Sequence, residues 1–257
     1  MTLLKLERVT RRFGGLLAVD AIDLNVEQGG VTAIIGPNGA GKTTLFHLIS
    51  GFQTPNGGRI VFDGQDITGL PPDRIAAHGL IRTFQLVQLF RDLSAIENVK
   101  VGCHLRTRGG IVTALIRPKS ARQTEAEVDA TARELLAFVG LADHGALPAS
   151  ALTYGRQRLL EIARALAVRP KLLLLDEPAA GLNAEETKLL SATIRKIVTQ
   201  GTTVLLIEHD MTLVMNTADK VAVLDFGAKI AEGSPRTVRD DPAVIAAYLG
   251  TAEAARA

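Results

Sequence analysis

One segment constrains this chain more than any other. The short apolar run Val31–Ile35 leads directly into Gly36-Pro37-Asn38-Gly39-Ala40-Gly41-Lys42-Thr43-Thr44. The pattern is a glycine, four residues, then glycine, lysine and a hydroxyl residue, and its flanks predict a buried parallel strand before it and a helix over Thr43–Ser50 after it. Glycines let a backbone wrap closely around phosphate groups, and successive N–H groups at a helix N-terminus point at negative charge. Lys42 is expected to reach the β- and γ-phosphates of a nucleotide, and the Thr43 hydroxyl to ligate Mg2+. A loop of this kind needs a strand behind it and a helix in front, so the chain must contain an α/β core.

The remaining pattern agrees. Two alternating runs, Leu3–Val9 and Val19–Val26, predict a pair of antiparallel edge strands, and Arg59–Phe62 predicts another strand. From Leu152 onward helices and strands alternate: helix Arg156–Val168, strand Leu172–Leu175, helix Ala184–Thr199, strand Thr203–Ile207, strands Val221–Leu224 and Lys229–Ala231, and a helix near Ala243–Leu249. Such alternation predicts a mostly parallel sheet covered on both faces. Between these parts, residues from about Ser94 to Val139 carry a helical pattern. The expected organisation is one domain of 257 residues. Its α/β core and antiparallel β subdomain take residues 1–93 and 152–250, and an α-helical subdomain is inserted at 94–151.

Composition excludes several classes. Hydrophobic residues make up 47% of the chain, enough for a sizeable core, and the net charge of +2 gives no reason to expect nucleic acid as a partner. The single cysteine, Cys103, cannot form a disulfide within the chain and reads best as a small semi-buried residue. Charges at Lys5, Glu7 and Arg8 deny the N-terminus the apolar run of a signal peptide, and no stretch of about 18 apolar residues exists to span a bilayer. Any work at a membrane must therefore run through partners. A basic stretch from Lys100 to Arg122 carries no acid. It can face anionic headgroups or acidic partner loops, or be an ordinary solvated face, and Ile111–Ile116 inside it reads as a buried helix face.

The second chemical feature is Leu172-Leu173-Leu174-Leu175-Asp176-Glu177-Pro178. A buried strand ending in two acids puts them at the C-terminal edge of the sheet, beside the phosphate loop. Asp176 is expected to help hold Mg2+ through water, and Glu177 to orient or deprotonate an attacking water.

Between those two features stands Leu152-Thr153-Tyr154-Gly155-Arg156-Gln157-Arg158, which resembles the signature motif of ABC ATPases in the place where that family carries it. Other segments agree with the family in order: Gln85 in Arg82-Thr83-Phe84-Gln85 with its Q-loop, Ala180-Gly181-Leu182-Asn183 with its D-loop, His209 after a late strand with its switch histidine, and Phe13 with the aromatic that stacks on adenine. Within the family the chain looks like the ATPase subunits of bacterial branched-chain amino-acid importers, on segments such as Ile81-Arg82-Thr83-Phe84-Gln85, Glu208-His209-Asp210-Met211 and Ala247-Tyr248-Leu249-Gly250. It departs from the family at Thr153 for Ser, Tyr154 for Gly, Arg156 for Gln, Asn183 for Asp and Ala184 for Pro. These departures bear on contacts across a subunit interface.

The resemblance implies a protein that binds and hydrolyses ATP with Mg2+, in a head-to-tail pair with a second ATPase subunit, identical or paralogous. It implies that Phe13 and Gly36 through Thr44 bind the nucleotide, that Thr153 and Gly155 contact it across the pair, and that Thr43, Gln85 and Asp176 serve the metal. Glu177 and His209 are then the catalytic residues. Transmembrane permease subunits would dock near Arg82–Phe90, at the cytoplasmic face of the cell membrane. Alternatives are the ATPase of a lipid or lipopolysaccharide exporter and a non-transport ABC protein. The second usually needs a long coiled-coil insertion or two cassettes in one chain, and neither is present. A plain P-loop kinase would leave residues 152–158 and His209 unexplained.

Overall fold

The computed structural model describes residues 1–104 and 119–254. They form two compact units, Met1–Arg82 with Lys171–Ala257, and Thr83–Pro170.

The first unit is built on two sheets. Strands β1 (Thr2–Phe13), β2 (Leu16–Glu27), β4 (Gly57–Phe62) and β5 (Gln65–Asp66) make an antiparallel sheet in the order β2-β1-β4-β5. Alternation along β1 and β2 sends Leu4, Leu6, Val9, Ile22, Leu24 and Val26 inward. The second sheet contains β3 (Val31–Ile35), β6 (Leu80–Arg82), β7 (Leu172–Asp176), β8 (Thr203–Ile207), β9 (Lys220–Asp225) and β10 (Ala228–Gly233) in the order β10-β9-β3-β8-β7-β6. All its pairings are parallel except that of β10 with β9. Strands β3, β7 and β8 are buried at every position, as continuous apolar runs in a doubly covered sheet should be.

Register decides where the chemistry falls. Ile34 pairs with Ile207, and Ile207 pairs with Asp176. The ends of β3, β8 and β7 thus lie in one row, and Gly36, Glu177 and Glu208 all follow that row at the C-terminal edge. Helix α1 (Lys42–Ile49) buries Leu45, Phe46, Leu48 and Ile49 in a core shared with both sheets. Helix α2 (Pro72–Ala77) precedes β6.

In the second unit, α3 (Ala95–His104), α4 (Lys119–Phe138) and α5 (Tyr154–Leu166) pack together around Val99, Ala132, Leu136, Leu160 and Ala163. A reciprocal cap starts α3: Ser94 N donates to Glu97 Oε2 at 2.7 Å, and Glu97 N to Ser94 Oγ at 3.3 Å. This unit is wider at both ends than the 94–151 insertion expected from sequence, because α5 and the segment after Arg82 join it. Cys103 is buried. Of the basic stretch, Lys100 pairs with Asp129 at 2.5 Å, whereas Arg106, Arg108, Arg117 and Ile111–Ile116 lie outside the described residues.

Back in the first unit, α6 (Ala184–Thr199), α7 (Met211–Thr217), α8 (Pro235–Arg239) and α9 (Pro242–Ala254) complete the chain. Among the described residues no helix is long and apolar enough to cross a membrane.

Candidate nucleotide site

The loop after β3 can be made only with glycine at two points. Gly36 and Gly41 have φ of 150° and 95°, and a Cβ would lie 2.0 Å from the Leu224 carbonyl oxygen at Gly36 and 2.2 Å from that of Ala18 at Gly41. Gly41 also starts α1 with no side-chain cap, and no acid stands in the first turn. The helix therefore presents its N-terminal N–H groups and positive dipole end to whatever enters the loop. Lys42 is 7% exposed, and its Nζ donates to the carbonyls of Gly36 at 2.7 Å and Pro37 at 2.8 Å. Burial pulls its ammonium below the usual value, and the charge of Glu177 pushes it back up.

Asn38 through Thr44 of this loop line a cleft of about 410 Å³ with Phe13, Glu177 and Phe226. The first unit thus brings together the expected loop, the expected adenine-stacking aromatic and the expected catalytic acid. Phe13 is 41% exposed, and the Arg11 guanidinium sits 4.7 Å from its ring centroid. Glu177 is held with φ at 45°, a left-handed conformation that costs a non-glycine residue about 1–3 kcal/mol. The strain is fixed by its N–H, which donates to Ile207 O at 3.0 Å. His209 Nδ1 lies 3.9 Å from Glu177 Oε2.

Asp176 is buried at the end of β7, where Arg82 donates to its Oδ2 at 2.7 Å. Both side chains are 5% exposed. Arg82 also donates to Ser50 Oγ at 3.0 Å and stacks 5.7 Å from the Phe46 and Phe52 rings. Such a pair fixes the direction of the Asp176 carboxylate.

Two further groups escaped the sequence reading. Glu208 is fully buried, and its carboxylate accepts from the N–H groups of Ala179 (2.8 Å), His209 (3.0 Å) and Asp210 (3.2 Å). Burial raises its pKa even against those donors. It ties the segment after Glu177 to the one bearing His209. Adjacency to His209 was the only available signal. The other group is Phe226, considered below.

The second unit holds Gln85, Thr153 and Gly155. Arg158, buried to 1% exposure, donates to Phe84 O at 2.8 Å, to Gln85 O at 2.7 Å and to Glu161 Oε2 at 3.0 Å. Glu161 also accepts from Gln88 N at 3.3 Å, and burial raises its pKa more than Arg158 lowers it. The signature helix thereby grips the backbone that carries Gln85. Thr153 is the N-cap of α5 and accepts from Arg156 N at 3.5 Å, and Gly155 is buried in the first turn. Asn183 is likewise an N-cap, with a capping box to Glu186 at the start of α6. Its exchange for Asp, and that of Ala184 for Pro, keep the helix start intact because Asn caps as well as Asp does.

A phosphate loop on a parallel sheet, an acidic strand end beside it and a separate helical unit bearing a signature segment define a nucleotide-binding cassette. The family model for ABC transporters matches residues 19–180. The chain belongs to this family, as one of its ATP-binding and ATP-hydrolysing subunits. A second model, for the branched-chain amino acid ATP-binding cassette transporter, matches residues 228–254. The chain is 47% identical to the high-affinity branched-chain amino acid transport ATP-binding protein BraF of Pseudomonas aeruginosa, over 97% of this chain and 98% of that one. It is 45% identical to the LivG protein of the same description from Escherichia coli, with the same coverage. Among solved structures it resembles a nucleotide-free ATP-binding cassette from an ABC transporter, with a TM-score of 0.84 and 33% identity, covering 96% of this chain and 99% of that one. It also resembles a dimeric bacterial ABC transporter cassette, with a TM-score of 0.76 and 26% identity over 91% and 99%.

Proposed function

We propose that this chain energises import of branched-chain or other hydrophobic amino acids by hydrolysing Mg-ATP in the cleft of its first unit. The observation that carries the reading is the meeting of Phe13, Lys42, Thr43 and Glu177 on one cleft at the edge of the parallel sheet. The relatives named for branched-chain amino acid transport support the substrate class.

In this reading Phe13 stacks on adenine, and the backbone from Gly36 to Thr44 surrounds the phosphates. Lys42 exchanges two neutral carbonyls for the β- and γ-phosphate oxygens, a stronger charge-assisted contact. Thr43 and Asp176 offer hard oxygen donors suited to Mg2+, which binds through a few protein groups plus phosphate oxygens; the family resemblance adds Gln85 as a further oxygen donor. That requirement fits a site where no cluster of three His, Cys, Asp or Glu occurs among the described residues. The ion would neutralise phosphate charge; the residues of this chain do the rest. Glu177 aligns the attacking water and takes its proton, while His209 lies close enough to steady that end of the site. Thr153 and Gly155 serve the nucleotide of a second ATPase subunit in a head-to-tail pair.

Permease subunits at the cytoplasmic membrane face are the partners of the segment Arg82–Phe90. Phe84, Leu86 and Phe90 are exposed there, 74% in the case of Leu86, while Leu89 is half-buried.

Glu177→Gln tests the catalytic assignment. ATP should still bind, hydrolysis should fall about 10²-fold or more, and ATP should then drive stable subunit association, measured as mass in solution with the partner ATPase present. Near-parental hydrolysis would overturn the role of Glu177.

A further inference from the structure

Phe226 is a residue that neither packing nor turn chemistry accounts for. The hairpin between β9 and β10 turns through Phe226 and Gly227, with φ of 43° and 83°. Two successive left-handed residues are the mark of a tight hairpin turn that favours Asn-Gly or Gly-Gly. A bulky side chain is a real outlier in that region. Burial does not compensate, because Phe226 is 84% exposed.

The position of the turn is nevertheless held firmly. Gly227 N donates to the carbonyl of Ala40, inside the phosphate loop, at 3.1 Å, and Asp20 N donates to Gly227 O at 2.8 Å. The tip is thus anchored to the loop and to β2, and Phe226 lines the same cleft as Phe13, Lys42 and Glu177. Strain retained at such a point calls for a use. The phosphate end of the cleft is already lined by Lys42 and backbone N–H groups, and a phenyl ring has no donor to add there. A phenyl ring can add an apolar face for a base and its ribose. Phe13 already has the Arg11 guanidinium over its ring, leaving its other face for a base.

We propose that Phe226 is a second aromatic contact for the base-and-ribose end of an adenine nucleotide, and that the turn tolerates its strain for that contact. The proposal rests on the assignment of this cleft to ATP. It makes two effects run in opposite directions. Replacing Phe226 with Asn relieves the turn and removes the contact, so the nucleotide-free chain should melt at a higher temperature while its affinity falls.

The experiment uses the full chain and the variants Phe226→Asn and Phe226→Tyr. It measures thermal melting without nucleotide and the binding of ADP, ATP and inorganic tripolyphosphate by calorimetry. Phe226→Asn should melt higher and bind ADP and ATP about five-fold weaker or more, to equal extents, with tripolyphosphate unchanged. Phe226→Tyr should bind all three as the parent does. Parental ADP affinity in Phe226→Asn would overturn the proposal. So would an equal loss for tripolyphosphate, which would show the turn acting through Ala40 on the phosphate loop. Failure of the site assignment is separately visible, as a parent that does not bind ADP or a Lys42→Ala variant that binds ATP like the parent.

Discussion

Two buried cations, one in each unit, are held in contrasting ways. Lys42 in the cleft of the first unit rests on two neutral carbonyls, those of Gly36 and Pro37, and burial depresses its pKa. Arg158 in the helical unit is committed to a carboxylate and two carbonyls, those of Glu161, Phe84 and Gln85. Burying an ion is expensive unless its surroundings repay it. Arg158 is repaid within the folded chain, so it acts as scaffold. Lys42 is repaid only weakly, so in the function proposed above an incoming phosphate gains by completing its environment. The acids follow the same division: Glu161 is enclosed with its arginine, whereas Glu177 sits strained on the wall of the cleft.

The contrast can be broken by experiment. Arg158→Ala should have the largest effect, because it strands Glu161 in the interior. Removing one member of a buried pair costs about 3–5 kcal/mol, measurable as a large drop in chemical-denaturation midpoint. Replacing both members with apolar residues, as in Arg158→Met with Glu161→Leu, should recover most of that stability. A double variant as unstable as the single one would show that the carbonyl contacts, and not the pair, carry the region.

Lys42→Ala should do the reverse. Turnover should fall about 10²-fold or more, in keeping with loss of an electrostatic contact to the transferring group, while nucleotide-free stability stays near that of the parent. If Lys42→Ala unfolds as readily as Arg158→Ala, the distinction between site and scaffold fails.

Phe13→Ala sharpens the picture within the cleft. An aromatic face for a base is worth about 1–3 kcal/mol, so the ATP dissociation constant should rise roughly five-fold or more, with little change in the rate at saturating ATP. A fall in that rate with unchanged affinity would move Phe13 from binding to chemistry.

Much of this was legible in the chain itself. Val31–Ile35, Ala184–Thr199 and Thr203–Ile207 have the bounds that periodicity predicts, because continuous apolar runs and strong caps leave few alternatives. The short strand Leu80–Arg82 and helix Met211–Thr217 had no pattern of their own to announce them. Both are too brief for periodicity and exist because neighbouring elements supply their partners. The same holds for residues. Lys42 and Glu177 stand in motifs whose spacing follows from phosphate chemistry. Glu208 and Arg158 work by reaching segments well apart in sequence, Ala179 and Phe84 among them.

The sequence by itself determined the phosphate loop, the acidic strand end, the order of the family's segments and hence the class of protein. These are local: a few consecutive residues contain both the backbone shape and the chemical group. Tertiary structure alone decided that Ile34, Ile207 and Asp176 share a row, that Arg82 buries itself against Asp176, that Arg158 grips the backbone of Gln85, and that an exposed phenylalanine in a strained turn stands on the cleft beside Lys42. Each of these depends on strand register or on the desolvation of a charge, and neither exists until distant parts of the chain have come together.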